Sequence, residues 1–117
     1  MDWYRENHPE VIEDKRIVPV PYLERITGGP GATISLFGFD TALVDSTLPT
    51  DRIVGVIRHE TLHLEQTPEE RQRMQAEDRR AAERNRRDPA KLPYGETHER
   101  IYLEGDRFRQ LYRGSMR

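Results

Sequence analysis

The sequence contains no cysteine. That excludes a disulfide framework, a Cys-ligated zinc finger, an iron–sulfur cluster and a thiol nucleophile, so any metal must be held by His, Asp and Glu. It also lacks any apolar run approaching the ~18–20 residues that span a bilayer. Its start, Met1-Asp2-Trp3-Tyr4-Arg5-Glu6, has none of the regions of a signal peptide. A cytoplasmic protein with no membrane partner is expected. A surplus of positive charge is missing as well: 19 Lys and Arg stand against 21 Asp and Glu, a net charge of -2. A general polyanion binder carries excess positive charge, so no nucleic-acid partner is expected. Apolar residues are scarce, at 34% with a mean hydropathy of -0.92. That predicts a small core, one that a bound metal or a partner chain would help to hold. The 117 residues suffice for one domain, 1–117, and nothing in them sets an oligomeric state.

What is present divides into three stretches. Residues 1–50 hold most of the β-branched and aromatic residues and much of the Pro and Gly. Ile17-Val18-Pro19-Val20-Pro21-Tyr22 reads as an extended segment that its prolines keep at a sheet edge or outside a sheet. Thr27-Gly28-Gly29-Pro30-Gly31 reads as a loop; it has no Gly-Lys-Ser/Thr ending and is not a phosphate cradle. Thr33–Phe39 and Thr41–Asp45 are predicted strands, with the bend at Gly38 or Asp40. A helix then follows Leu48-Pro49, with Thr50 or Asp51 as its N-cap and Ile53, Val56, Ile57, Glu60 and Leu64 at helical spacing. Pro68 ends or interrupts it. Residues 69–88 are almost wholly charged and read as a solvated helical insert braced by Arg–Glu pairs. Leu92-Pro93-Tyr94-Gly95 is a turn, and Glu96–Arg113 is a last amphipathic helix. The stretch through Asp14 reads as a disordered or capping segment; the alternative is a latent form in which His8 and Glu10–Asp14 reach a metal.

The chemistry lies in His59-Glu60-Thr61-Leu62-His63. Residues four apart on a helix lie on one face, so both imidazoles can address one ion. Glu60 stands about 100° round the helix from His59, which brings a carboxylate to the edge of the same site. Neutral imidazole suits Zn²⁺, and water on such an ion has a pKa lowered to about 7. Glu60 can accept its proton and pass it to a leaving amine. A catalytic zinc takes a third protein ligand. Gln66 and Glu69 stand where the metzincin motif needs Gly and His, so the third ligand must come from elsewhere. The last helix offers Glu96, His98, Glu99 and Glu104. Ile101, Gly105, Phe108 and Tyr112 form an inward stripe that His98 extends backward by one turn, so His98 projects toward the core. Glu96 and Glu99 point away, and Glu104 is intermediate.

Ile57-Arg58-His59-Glu60-Thr61-Leu62-His63-Leu64-Glu65-Gln66 resembles the active-site helix of the zincin metallopeptidases, and Pro93–Phe108 resembles their second ligand-bearing helix. In SprT-like and related minimal zincins a third histidine is followed four residues later by an aromatic, as His98 is by Tyr102. In other small zincins that helix begins with a glutamate ligand and carries Gly-Asp farther on; counting back from Gly105-Asp106 also reaches His98. The resemblance implies an α+β fold: a small, twisted, mostly antiparallel sheet packed on the helix that carries the motif, with the second ligand helix C-terminal to it. It further implies that the sheet's edge strand binds an extended peptide beside the metal. Asp40, Asp45 and Asp106 are available to orient a ligand imidazole, and Tyr94, Tyr102 and His8 to stabilise a tetrahedral intermediate.

The sequence thus points to a zinc metallopeptidase acting on a peptide or protein substrate, with Glu60 as general base and His59, His63 and His98 as ligands. The competing expectation is a non-catalytic interaction module that uses the charged 69–88 helix, with structural zinc or none. Missing apolar heptads there argue against a coiled coil.

Overall fold

Residues 2–14 are ordered against the core. In the computed structural model, which describes residues 2–117, they form two short helices, α1 (Asp2–Asn7) and α2 (Pro9–Ile12). These place Trp3, Tyr4 and Val11 in the main core beside Val44, Val54, Ile57 and Phe108. Tyr4 is fully buried, lies over the Phe108 ring, and donates its hydroxyl hydrogen bond to the Val54 carbonyl. Trp3 Nε1 donates to Ser115 Oγ at 2.9 Å, tying the two ends of the chain together. His8 packs its ring on Trp3 and Phe108, so it does not reach His59, His63 or His98. The disordered or latent N-terminus is corrected accordingly.

The fold is α+β. Strands β1 (Arg16–Val20), β2 (Gly31–Leu36) and β3 (Phe39–Asp45) form one sheet in the order β1-β3-β2. A five-residue helix, α3 (Leu23–Thr27), in a stretch to which the sequence reading assigned no element before Thr27, lies between β1 and β2. β1 pairs with β3 in parallel, Arg16 opposite Thr41 and Val20 opposite Asp45, while β2 pairs with β3 antiparallel, Gly31 opposite Val44. The sheet is therefore mixed rather than mostly antiparallel. Pro19 lies on the edge strand β1, where its missing N–H costs no ladder bond on the open side. The β2–β3 bend falls on Phe37-Gly38, both with positive φ (52° and 81°), while Asp40 pairs within the ladder opposite Ser35. Two positive φ values in a two-residue connection match the twist of a hairpin.

Three long helices complete the chain: α4 (Thr50–Glu65), α5 (Pro68–Arg87) and α6 (Glu96–Ser115). The cap of α4 is Pro49, not Thr50 or Asp51, and the Pro49 carbonyl takes the Ile53 N–H at 3.0 Å. Asp51 instead reaches across to Arg109 (2.7 Å) and Arg113 (2.8 Å) of α6. Pro68 opens α5 rather than merely closing α4: Thr67 and Glu70 make a reciprocal capping box around it. α4 and α6 cross with their backbones in close approach at Gly55 and Gly105. A Cβ on Gly105 would lie 2.8 Å from the Gly55 carbonyl oxygen. Among the described residues no helix is long and apolar enough to cross a membrane.

Candidate metal centre

α4 carries His59 and His63 one turn apart, and the crossing at Gly55–Gly105 sets α6 close enough for His98 to join them. His59 Nε2 lies 3.1 Å from His63 Nε2 and 3.4 Å from His98 Nε2. These three are the one group of metal-ligating side chains converging on a point among the described residues. The donor set fits a zinc ion. Ligand bonds of about 2.0–2.1 Å in a tetrahedron place neighbouring nitrogens about 3.3–3.4 Å apart. Neutral imidazole nitrogens whose lone pairs point at one spot could share a cation there.

Each outer ring nitrogen that has a partner faces an oxygen. His98 Nδ1 lies 3.1 Å from Asp78 Oδ2, and His63 Nδ1 lies 3.1 Å from Gln66 Oε1. A carboxylate only accepts, so Nδ1 of His98 carries the proton and its Nε2 lone pair is directed inward. The Gln66 amide nitrogen faces Met74 Sδ at 3.4 Å, which leaves its oxygen for His63. Burial is the main cause that pushes His59 down to about 3, with the neighbouring His63 and His98 adding to it. His63 is lowered too, first by burial and then by His98 and Arg71, against the Gln66 bond that raises it. Both rings are thereby held neutral, the form that ligates.

Glu60 is 7% exposed, its Oε1 lies 3.9 Å from His59 Nε2, and burial pushes its carboxyl up to about 7. The first residue of β2 lies directly on it: a Cβ on Gly31 would fall 2.9 Å from Glu60 Cγ. The same Cβ would fall 2.7 Å from Val56 Cγ1, so the missing side chain lets the strand lie close against Val56 and Glu60. Between β2 and the three long helices runs a cleft of about 570 Å³, lined by Gly31, Ala32, Thr33, His59, Glu60, His63 and His98 among others. β2 is the outer strand of the sheet, and its first residues line the same cleft as His59, His63 and His98.

The glutamate alternatives are placed elsewhere. Glu96 pairs with Arg100 and Glu104 with Arg107, both at the surface, and Glu99 does not join the cluster. Tyr102 lines the cleft with its ring 4.5 Å from that of His59 and 4.8 Å from that of His98, its hydroxyl pKa raised chiefly by burial. Tyr94 stacks behind it and does not line the cleft. Asp45 binds the Glu24 and Thr47 N–H groups, Asp40 lies in the ladder and Asp106 is exposed, so none holds a ring of the histidine cluster.

Sequence reading missed the residue that does, Asp78, along with Gln66. α5 has a buried face, Met74 and Ala81, and Asp78 falls between them at spacings of four and three. That periodicity was the available signal. The same face secures the start of α6: Asp78 Oδ1 accepts the Gly95 N–H at 2.8 Å and Glu77 Oε1 the Thr97 N–H at 3.1 Å. α5 is solvated on one side and built into the site on the other. No family model matches the chain, and no curated protein or solved structure is similar to it.

Proposed function

We propose that this chain is a zinc-dependent peptidase. The observation that carries the reading is the convergence of three histidine nitrogens with a buried carboxylate beside them, on a cleft walled by a free strand edge. His59, His63 and His98 would hold the ion; the neutral state of His59 and His63 and the Asp78 and Gln66 contacts suit them to it. Zinc so held supplies a Lewis acid that acidifies water and polarises a carbonyl. Glu60 then does the proton work. Its carboxylate accepts a proton from water at Oε1 and delivers it to the nitrogen of the departing amine. The edge of β2 pairs with the extended substrate backbone and sets it along the cleft. Tyr102, whose ring lies against those of His59 and His98, is the hydroxyl available in the cleft to donate to the carbonyl oxygen.

The test is hydrolysis of a mixed peptide library by protein reconstituted with zinc. The expected result is cleavage that a chelator abolishes and added zinc restores, and that His59→Ala lacks together with the metal. Failure to bind zinc in proportion to chain, or cleavage that survives His59→Ala, would overturn the reading.

A further inference from the structure

The cleft is electrically uneven along its length. Its floor on α4 runs from Arg52 to His63, a span of about 16 Å, enough for about five extended residues of a bound peptide at ~3.3 Å each. At the Arg52 end the cations are already committed. Arg52 pairs with Glu24 at 2.8 Å and Arg109 with Asp51 at 2.7 Å, and the exposed Asp106 stands beside Gly105 at the helix crossing. At the His63 end the situation is reversed. Arg71 lines the cleft, half-buried, near enough for its charge to act on His63. Among the described residues no carboxylate lies within ion-pair distance of it.

Its position on the helix is also unfavourable on local grounds. Arg71 is the fourth residue of α5, where the helix dipole favours negative charge. Acids do occupy the two preceding positions, Glu69 and Glu70, and Glu70 is held in the capping box. The guanidinium therefore stands at a positive helix end, partly desolvated, beside a site suited to a cation. All three features favour an anion between them. We propose that Arg71 binds a substrate carboxylate, and so selects peptides that place an acidic side chain or a free C-terminus on the His63 side of the bond to be cut. The inference rests on the peptidase reading for the word substrate, but the anion subsite is a separate property of the cleft. A guanidinium and a carboxylate form paired, charge-assisted hydrogen bonds that an amide cannot match.

Peptides differing only by Glu, Gln or Lys at one position, each with a free or an amidated C-terminus, test it against wild type and Arg71→Glu. Glutamate is favoured at this helix position, so the variant should fold, and circular dichroism checks that it does. Wild type should prefer the carboxylate-bearing peptide over the Lys peptide by about tenfold or more in kcat/KM, and Arg71→Glu should reverse the order. A gain from Glu at one position assigns the carboxylate to a side chain; a gain from the free over the amidated end assigns it to the C-terminus. The same ratios are read as Kd on zinc-loaded Glu60→Gln protein, which needs no turnover. Reversal in binding without any cleavage would uphold the anion subsite while sinking the peptidase reading. Cleavage with the same ratio in wild type and Arg71→Glu would sink the subsite alone.

Discussion

An Asp78→Asn substitution keeps the size of the side chain and alters only what its two outer atoms can do. Both oxygens of the aspartate accept: Oδ1 from the Gly95 N–H at 2.8 Å, Oδ2 from His98 Nδ1 at 3.1 Å. Asparagine has one acceptor and one donor. With its oxygen on Gly95, its NH₂ faces Nδ1, which must then accept and send the ring proton to Nε2, the atom that has to be bare in order to ligate. With the amide flipped, two N–H donors confront each other at the start of α6, at a cost of about 1–3 kcal/mol for the unpaired group. The first arrangement is the cheaper one. Zinc affinity should therefore fall about 10–100-fold, the usual consequence of losing an outer partner of a ligand histidine. The metal-free protein should lose no more than about 1 kcal/mol. Asp78→Ala should lose both affinity and stability, since the Gly95 N–H is then orphaned as well. Competition with a chromophoric chelator reads the affinity and urea unfolding of metal-free protein reads the stability. Asp78→Asn protein that binds zinc as tightly as wild type would refute the tautomer argument.

Two further outcomes follow from the packing around the site. Glu60 has its carboxyl pushed up from an ordinary 4.5 to about 7. In metal-free protein the stability its protonated form contributes is full below about 4.5 and is lost as pH rises through about 7. Glu60→Gln should thus gain on wild type across that window, by up to about 3 kcal/mol at pH 8; denaturation curves that stay parallel from pH 4.5 to 8 would contradict it. Gly105→Ala inserts a methyl 2.8 Å from the Gly55 carbonyl oxygen. It should cost about 1–3 kcal/mol in urea unfolding and weaken zinc binding by moving His98 away from His59.

The two halves of the site differed in how openly the sequence displayed them. His59, Glu60 and His63 lie within one turn of helix, so spacing alone placed them together, and the stripe from His98 to Tyr112 brought the third ring to the same side. Asp78 was hidden because its helix is charged nearly all round. Only Met74 and Ala81 mark the inward face, too few to stand out among arginines and glutamates at similar spacing. α1, only six residues long, has no period to detect, and the burial of Trp3 and Tyr4 depends on Phe108 and Tyr112 more than a hundred residues away. The parallel pairing of β1 with β3 likewise depends on a crossover through α3 and β2 that alternation along a single strand does not encode. What the sequence did carry was the edge character of β1, through Pro19, and the hairpin between β2 and β3.

The most direct measurement is made on Glu60→Gln protein reconstituted with zinc, assayed beside wild type for metal content and for peptide hydrolysis. Glu60 contributes no ligand nitrogen, and its amide isostere fits the space beneath Gly31. The expected result is zinc equimolar with chain in both proteins and hydrolysis lost in the variant alone. Hydrolysis at the wild-type rate by zinc-loaded Glu60→Gln, or a wild type that binds no zinc, would contradict the assignment of this cluster as a hydrolytic centre.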